Sequence, residues 1–195
     1  FHLLRMQALA PHPRPLVIMT PKSLLRSPVA ASPIEALGEG RFQPLLDDPS
    51  VDPARRGAIT TLLLTTGKMY HDLTSNPLRE QARTTAVGRV EMLDPLPLKE
   101  IVELVRSYPN LEQLFWVQEE PKNMGAWTHV NRPIGRMRPY HIRWEYIGRP
   151  RRASPSEGFH GAHSAEQERI IRQALTIEQT PSEEAASAAR SGSTL

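Results

Sequence analysis

The chain has 195 residues, 39% of them apolar and 23% charged, with a formal net charge of +3 and no cysteine. Those figures suit a globular domain with one core and exclude disulfides, thiolate chemistry and cysteine-ligated metal. No apolar run reaches membrane-spanning length, so no membrane partner is expected, and the absence of cysteine fits a cytoplasmic protein.

The first ten residues, "FHLLRMQALA", read as an amphipathic helix already under way. They lack the basic start, apolar centre and small-residue cleavage site of a signal peptide, so the chain reads as a piece of a longer protein. "RPLVIMT" (14–20) has strand character and stops at Pro21. The Pro-, Ser- and Asp-rich stretch that follows reads as a surface connector. Within it "FQPLL" (42–46) fits a short edge strand, because its proline cannot serve a central ladder, and the sheet as a whole admits an antiparallel edge strand.

"AITTLLLTTG" (58–67) is a strand running into Gly67, and "KMYHDLTSNPLREQA" continues with helical spacing broken at Pro77. That strand–glycine–helix unit is half of a βαβ motif. "TTAVGRVEML" (84–93) is the next strand. Leu98, Ile101, Val102 and Val105 mark an amphipathic helix ending before Pro109. "LEQLFWVQ" (111–118) and "HIRWEYIG" (141–148) are two more strands, the second alternating as a half-exposed strand does.

The last helix is expected over 164–175, opened by a capping box of Ser164 and Gln167. Residues 176–195 have nothing to bury and read as a disordered tail. The order of elements predicts a three-layer α/β/α domain with a mostly parallel sheet.

The chemistry-bearing residues are few. No phosphate loop, zinc spacing or nucleophile elbow is present. His160 and His163 stand close together in "GFHGAH", which suits a loop hydrogen bond better than a metal. Lys22, Ser23 and Arg26 in "TPKSLLRSP", and Lys68 after a strand, could contact an anion or effector. Seven arginines between Arg132 and Arg152 face the single acid Glu145, which admits a nucleotide- or nucleic-acid-binding module as a second reading.

The sharpest local feature is "WVQEEPKNMGAW" (116–127). Adjacent strand residues point to opposite faces, which disfavours Glu119 and Glu120 as a catalytic pair. The expectation is a loop-organising or interface turn built from Gln118, Glu119, Glu120, Asn123, Gly125 and Trp127. In it Pro121 stops the strand, Gly125 frees the backbone for a helix carrying Trp127, and Glu120 accepts the hydrogen bonds that fix the loop.

Five motifs stand in one order: "FHLLRMQAL", "RPLVIMTPKSLLRSP", "LTTGKMYHDL", "WVQEEPKNMGAW" and "IGRPRRASPSEGFHGAHSAEQ". Together, from Phe1 to about Leu175, they resemble the C-terminal end of the E1 component of the 2-oxoglutarate dehydrogenase complex. The resemblance implies a homodimeric thiamine diphosphate and Mg2+ enzyme of transketolase-like build. Such an enzyme decarboxylates 2-oxoglutarate and passes the succinyl group to the lipoyl domain of the dihydrolipoyl succinyltransferase E2, in the tricarboxylic acid cycle.

By that resemblance, residues 1–19 end a pyrimidine-binding domain, 20–41 connect, and 42–175 form a transketolase C-terminal-like domain. The family's Gly-Asp-Gly diphosphate motif does not occur here, so no catalytic, cofactor-binding or metal residue is assigned to this chain. Its expected roles are structural, dimerising and regulatory. Some relatives bind acetyl-CoA through an Arg-Arg pair near the last strand. Arg149 stands at the first position of that pair and Pro150 at the second, and nucleic acid is not an expected partner.

Overall fold

The computed structural model describes residues 1–177. Its centre is a five-stranded sheet of order β1-β3-β2-β4-β5, with β1 Leu45–Leu46, β2 Thr61–Thr65, β3 Thr85–Val90, β4 Gln113–Pro121 and β5 Arg143–Arg149. β2, β3, β4 and β5 run parallel, and β1 joins β3 antiparallel through Leu45 opposite Val90. The helices are α1 His2–Ala8, α2 Glu35–Gly38, α3 Lys68–Thr74, α4 Leu98–Ser107, α5 Trp127–Met137 and α6 His160–Leu175.

The layers follow from strand alternation. Leu62, Leu64, Leu114 and Trp116 point to one face, where Ile101, Leu104 and Val105 of α4 and Trp127, Val130 and Ile134 of α5 cover them. Leu63, Phe115 and Val117 point to the other, against Met69 and Leu73 of α3 and Ile170, Ile171, Ala174 and Leu175 of α6. Both faces of the central strands are therefore apolar, and β2 reads "TLLLT" with every residue buried. A central polar anchor is Asp48, 3% exposed. It accepts from Arg79 Nη2 at 2.7 Å and from the Val87 N–H at 2.8 Å, tying the segment after β1 to β3.

Three local expectations are corrected. Residues 14–20 form no strand: Val17 is 81% and Met19 89% exposed, and the run lies outside every ladder. Strand character needs an open edge to join, and on the β3 side that edge is taken by β1.

The last helix starts at His160, not Ser164, and its N-cap is Phe159. Ser164 sits inside the helix, and Gln167 donates to Asp72 of α3 at 2.7 Å instead of closing a capping box. The tail does not begin at Thr176 in the sense expected. Thr176 donates its hydroxyl to the Arg172 carbonyl, and Ile177 packs against the α3/α6 core. The rest of the expected disordered tail, from 178 on, lies outside the described residues.

Residues 1–41 are of another character, for none of them is buried. α1 folds back on α2 through His2 and the Ala36 carbonyl, and Arg5 donates to the Gly40 carbonyl. Twelve of the fifteen exposed large apolar side chains among the described residues belong to this arm.

Candidate functional site

β2 is followed by α3 on one face of the sheet, while its neighbour β4 is followed by α5 on the other. That reversal leaves a crevice at the carboxyl ends of β2 and β4, the place where open α/β sheets bind ligands or partners. It has a volume of about 590 Å³ and is lined by Thr66, Leu93, Asp94, Gln118, Glu120, Gly125, Ala126 and His129. The stretch 116–127 forms most of one wall.

Gln118 organises that wall. Its Oε1 accepts from Trp116 Nε1 at 2.9 Å and from the Trp127 N–H at 2.9 Å. Its Nε2 donates to the carbonyls of Met124 at 2.8 Å and of Glu120 and Pro121 at 3.2 Å each. One buried amide thus joins the end of β4, the turn and the first residue of α5.

Gly125 is required at the turn. Its φ is +64°, and a Cβ there would stand 3.0 Å from both Gln118 Nε2 and Glu120 Cβ. Asn123 pins the turn to the next loop, donating to the Arg152 carbonyl at 3.0 Å and accepting from its N–H at 3.1 Å. Trp127 packs between Trp144 and Tyr146, with ring centroids 5.3 Å away in both cases.

The loop-fixing role expected of Glu120 falls to Gln118. Both glutamates lie within β4, which continues to Pro121, so they take opposite sides of the strand. Glu119 is half-buried, and Glu120 is exposed on the crevice wall. Neither carboxylate makes a hydrogen bond or ion pair with another described residue. The sequence carried the signal for Gln118 in its neighbours: a polar residue directly after "LFWV" must bring its partners into the core with it.

Tyr146, one of the alternating residues of β5, carries a further contact. Its hydroxyl lies 2.8 Å from the carbonyls of both Glu120 and Arg149, closing the bottom of the wall. Burial pushes this phenol up to about 12.

The residues expected to contact an anion are not brought together. Lys22 and Ser23 lie in an exposed helical turn of the arm, and Arg26 follows it. Lys68 forms an ion pair with Asp72 one turn along α3. Arg149 is 3% exposed. It donates from Nη2 to His163 Nδ1 at 2.9 Å and from Nη1 to the Pro155 carbonyl at 3.3 Å, anchoring the loop between β5 and α6. His160 and His163, expected in a loop, both lie in the first turn of α6, and His163 accepts from Arg149 there.

The arginine-rich stretch is dispersed as well. Arg143 pairs with Glu145 at 2.5 Å. Arg138 and Arg143 lie at the start of β5, and Arg149, Arg151 and Arg152 lie at its end, about 20 Å away for a strand of this length. Among the described residues no three of His, Cys, Asp or Glu gather as metal ligands.

Residues 31–175 match the family model described as 2-oxoglutarate dehydrogenase C-terminal. The chain is 45% identical over 183 residues to the 2-oxoglutarate dehydrogenase E1 component of Shouchella clausii (strain KSM-K16). It is 42% identical over 181 residues to that of Bacillus subtilis (strain 168), and 44% over 180 residues to that of Geobacillus kaustophilus (strain HTA426). In each case the match covers 90% of this chain and 19% of the relative's length.

Proposed function

The chain belongs to the 2-oxoglutarate dehydrogenase C-terminal family, and we propose that it is the C-terminal region of an E1 enzyme that decarboxylates 2-oxoglutarate and transfers the succinyl group to a lipoyl-bearing E2. The supporting observation is the match over 90% of the chain to E1 components about five times its length. Thiamine diphosphate with Mg2+ would supply the carbanion chemistry in that enzyme. No step of that chemistry is assigned to the residues of this chain.

In this reading the chain's own work is structural. Residues 1–19 end the preceding pyrimidine-binding domain, 20–41 connect, and 42–175 form the terminal α/β domain. The apolar arm carries twelve exposed large side chains. At about 25 cal/mol per Å² of apolar surface removed from water, covering them against the rest of an E1 homodimer is strongly favourable. Gln118, Glu120 and Gly125 line the crevice wall that meets a neighbouring domain, Asn123 and Trp127 hold its turn in place, and Glu119 lies on the other side of the strand. Of the candidate effector contacts, Lys22, Ser23 and Arg26 are exposed, whereas Lys68 pairs with Asp72 and Arg149 is buried.

The test uses the enzyme that contains this chain. Its 2-oxoglutarate-dependent reduction of an artificial acceptor should require thiamine diphosphate and Mg2+, while the 195-residue chain alone should bind no thiamine diphosphate in calorimetry. Micromolar cofactor binding by the chain alone, or an enzyme inert toward 2-oxoglutarate but active on another oxo acid, would refute this reading.

A further inference from the structure

α4 and α5 pack side by side, and between their ends opens a shallow groove with a cavity of about 40 Å³. Its apolar lining includes Leu98, Val102, Met137 and Pro139, and its two remaining lining residues are Arg106 and Arg138. No carboxylate lines it. Outside the N-terminal arm only three large apolar side chains are exposed among the described residues. Two of them, Met137 at 51% and Tyr140 at 102%, lie on or beside this groove.

The polar part of the groove is donor-only. Arg106 is exposed at the last turn of α4 and has no ion-pair partner among the described residues. Arg138 places Nη1 at 3.1 Å from the Pro139 carbonyl, while its Nε is buried and meets no acceptor. An apolar floor with two guanidinium groups and no acid is complementary to a ligand with an aliphatic tip flanked by negative charge.

We propose that the α4–α5 groove docks a polypeptide segment of a partner protein, in which an aliphatic anchor residue is flanked by Asp or Glu. The cavity admits the tip of one side chain, so the anchor is single: a Leu, Ile or Met against Val102 and Met137. Flanking carboxylates reach Arg106 and Arg138. Such a segment is distinguished from nucleic acid by the anchor, for phosphates alone would leave Met137 and Tyr140 uncovered.

The test is a titration of the isotopically labelled 195-residue chain, followed by amide shifts, with three probes. They are the acetylated, amidated peptide Asp-Glu-Leu-Glu-Asp, the same peptide with Lys replacing every acid, and a twelve-nucleotide oligo-dT. The acidic peptide should shift amides of 98–106 and 134–140 and leave those of α6 unmoved. Arg106→Glu and Met137→Glu should each weaken it about tenfold without altering the thermal melt, since both side chains are exposed. Equal binding of the Lys peptide, preferential binding of oligo-dT, retained affinity in both variants, or no shift in the groove at millimolar acidic peptide would each overturn the proposal.

Discussion

The side-chain oxygen of Gln118 and the backbone nitrogen of Trp127 stand 2.9 Å apart, so a residue at the end of β4 caps the start of α5 across the turn between them. The same oxygen holds the indole N–H of Trp116. Replacing Gln118 with Leu leaves two buried donors and the Met124 carbonyl without partners. The expected loss is about 2–4 kcal/mol, measured as a lower urea midpoint with an unchanged slope. Glu120→Gln should change the stability of this chain by less than about 0.5 kcal/mol. A larger effect confined to the longer enzyme would place a neighbouring domain on the crevice wall.

Gly125→Ala should cost about 1–3 kcal/mol, because the added methyl meets Gln118 and Glu120 at 3.0 Å in a left-handed backbone conformation. Thermal denaturation checks this, and indole fluorescence should report the displaced Trp127. A neutral outcome would mean that the turn relaxes without its glycine.

Asp48→Ala removes the acceptor for Arg79, Ser50 and the Val87 N–H. The Arg79 guanidinium then loses its carboxylate in a largely buried place, and the expected cost is about 3–5 kcal/mol. Amide exchange should rise first in β1 and β3, which this carboxylate joins.

Alkali should find Tyr146 late. With its phenol raised to about 12 by burial, the native chain takes up fewer hydroxide equivalents near pH 10 than the unfolded one. The stability this tyrosine contributes is therefore full below pH 10, its unfolded value, and is lost as pH rises through about 12. Tyr146→Phe should remove that component of the alkaline decline. It should also cost about 1–2 kcal/mol at neutral pH through the carbonyls of Glu120 and Arg149.

His71 acts at the other end of the scale. Its pKa is lowered from 6.5, by burial first and by Arg89 second, so the native state resists the proton that the unfolded chain accepts. Stability should fall as pH drops below 6.5, and His71→Gln should flatten that slope in denaturation series between pH 7 and 5.

The β2 run "TLLLT" and the 98–105 periodicity dictated a buried parallel strand and a helix on its face, because backbone pairing and apolar burial leave such segments few alternatives. Gly125 within its turn and the arrest at Pro77 were legible from equally local backbone preferences. Other features depended on partners distant in sequence. "RPLVIMT" is as β-like as β1, yet only Leu45–Leu46 reached the open edge beside β3. Gln167 fits a capping box with Ser164 by spacing alone, but it is held by Asp72, 95 residues away. Glu120 fits the loop's anchor by its place in the sequence, but three carbonyls and two donors converge on Gln118, two strand positions inward. Local periodicity and turn chemistry determined the elements; which polar group meets which was decided by tertiary packing, because a hydrogen bond forms only where the folded chain brings donor and acceptor within about 3 Å.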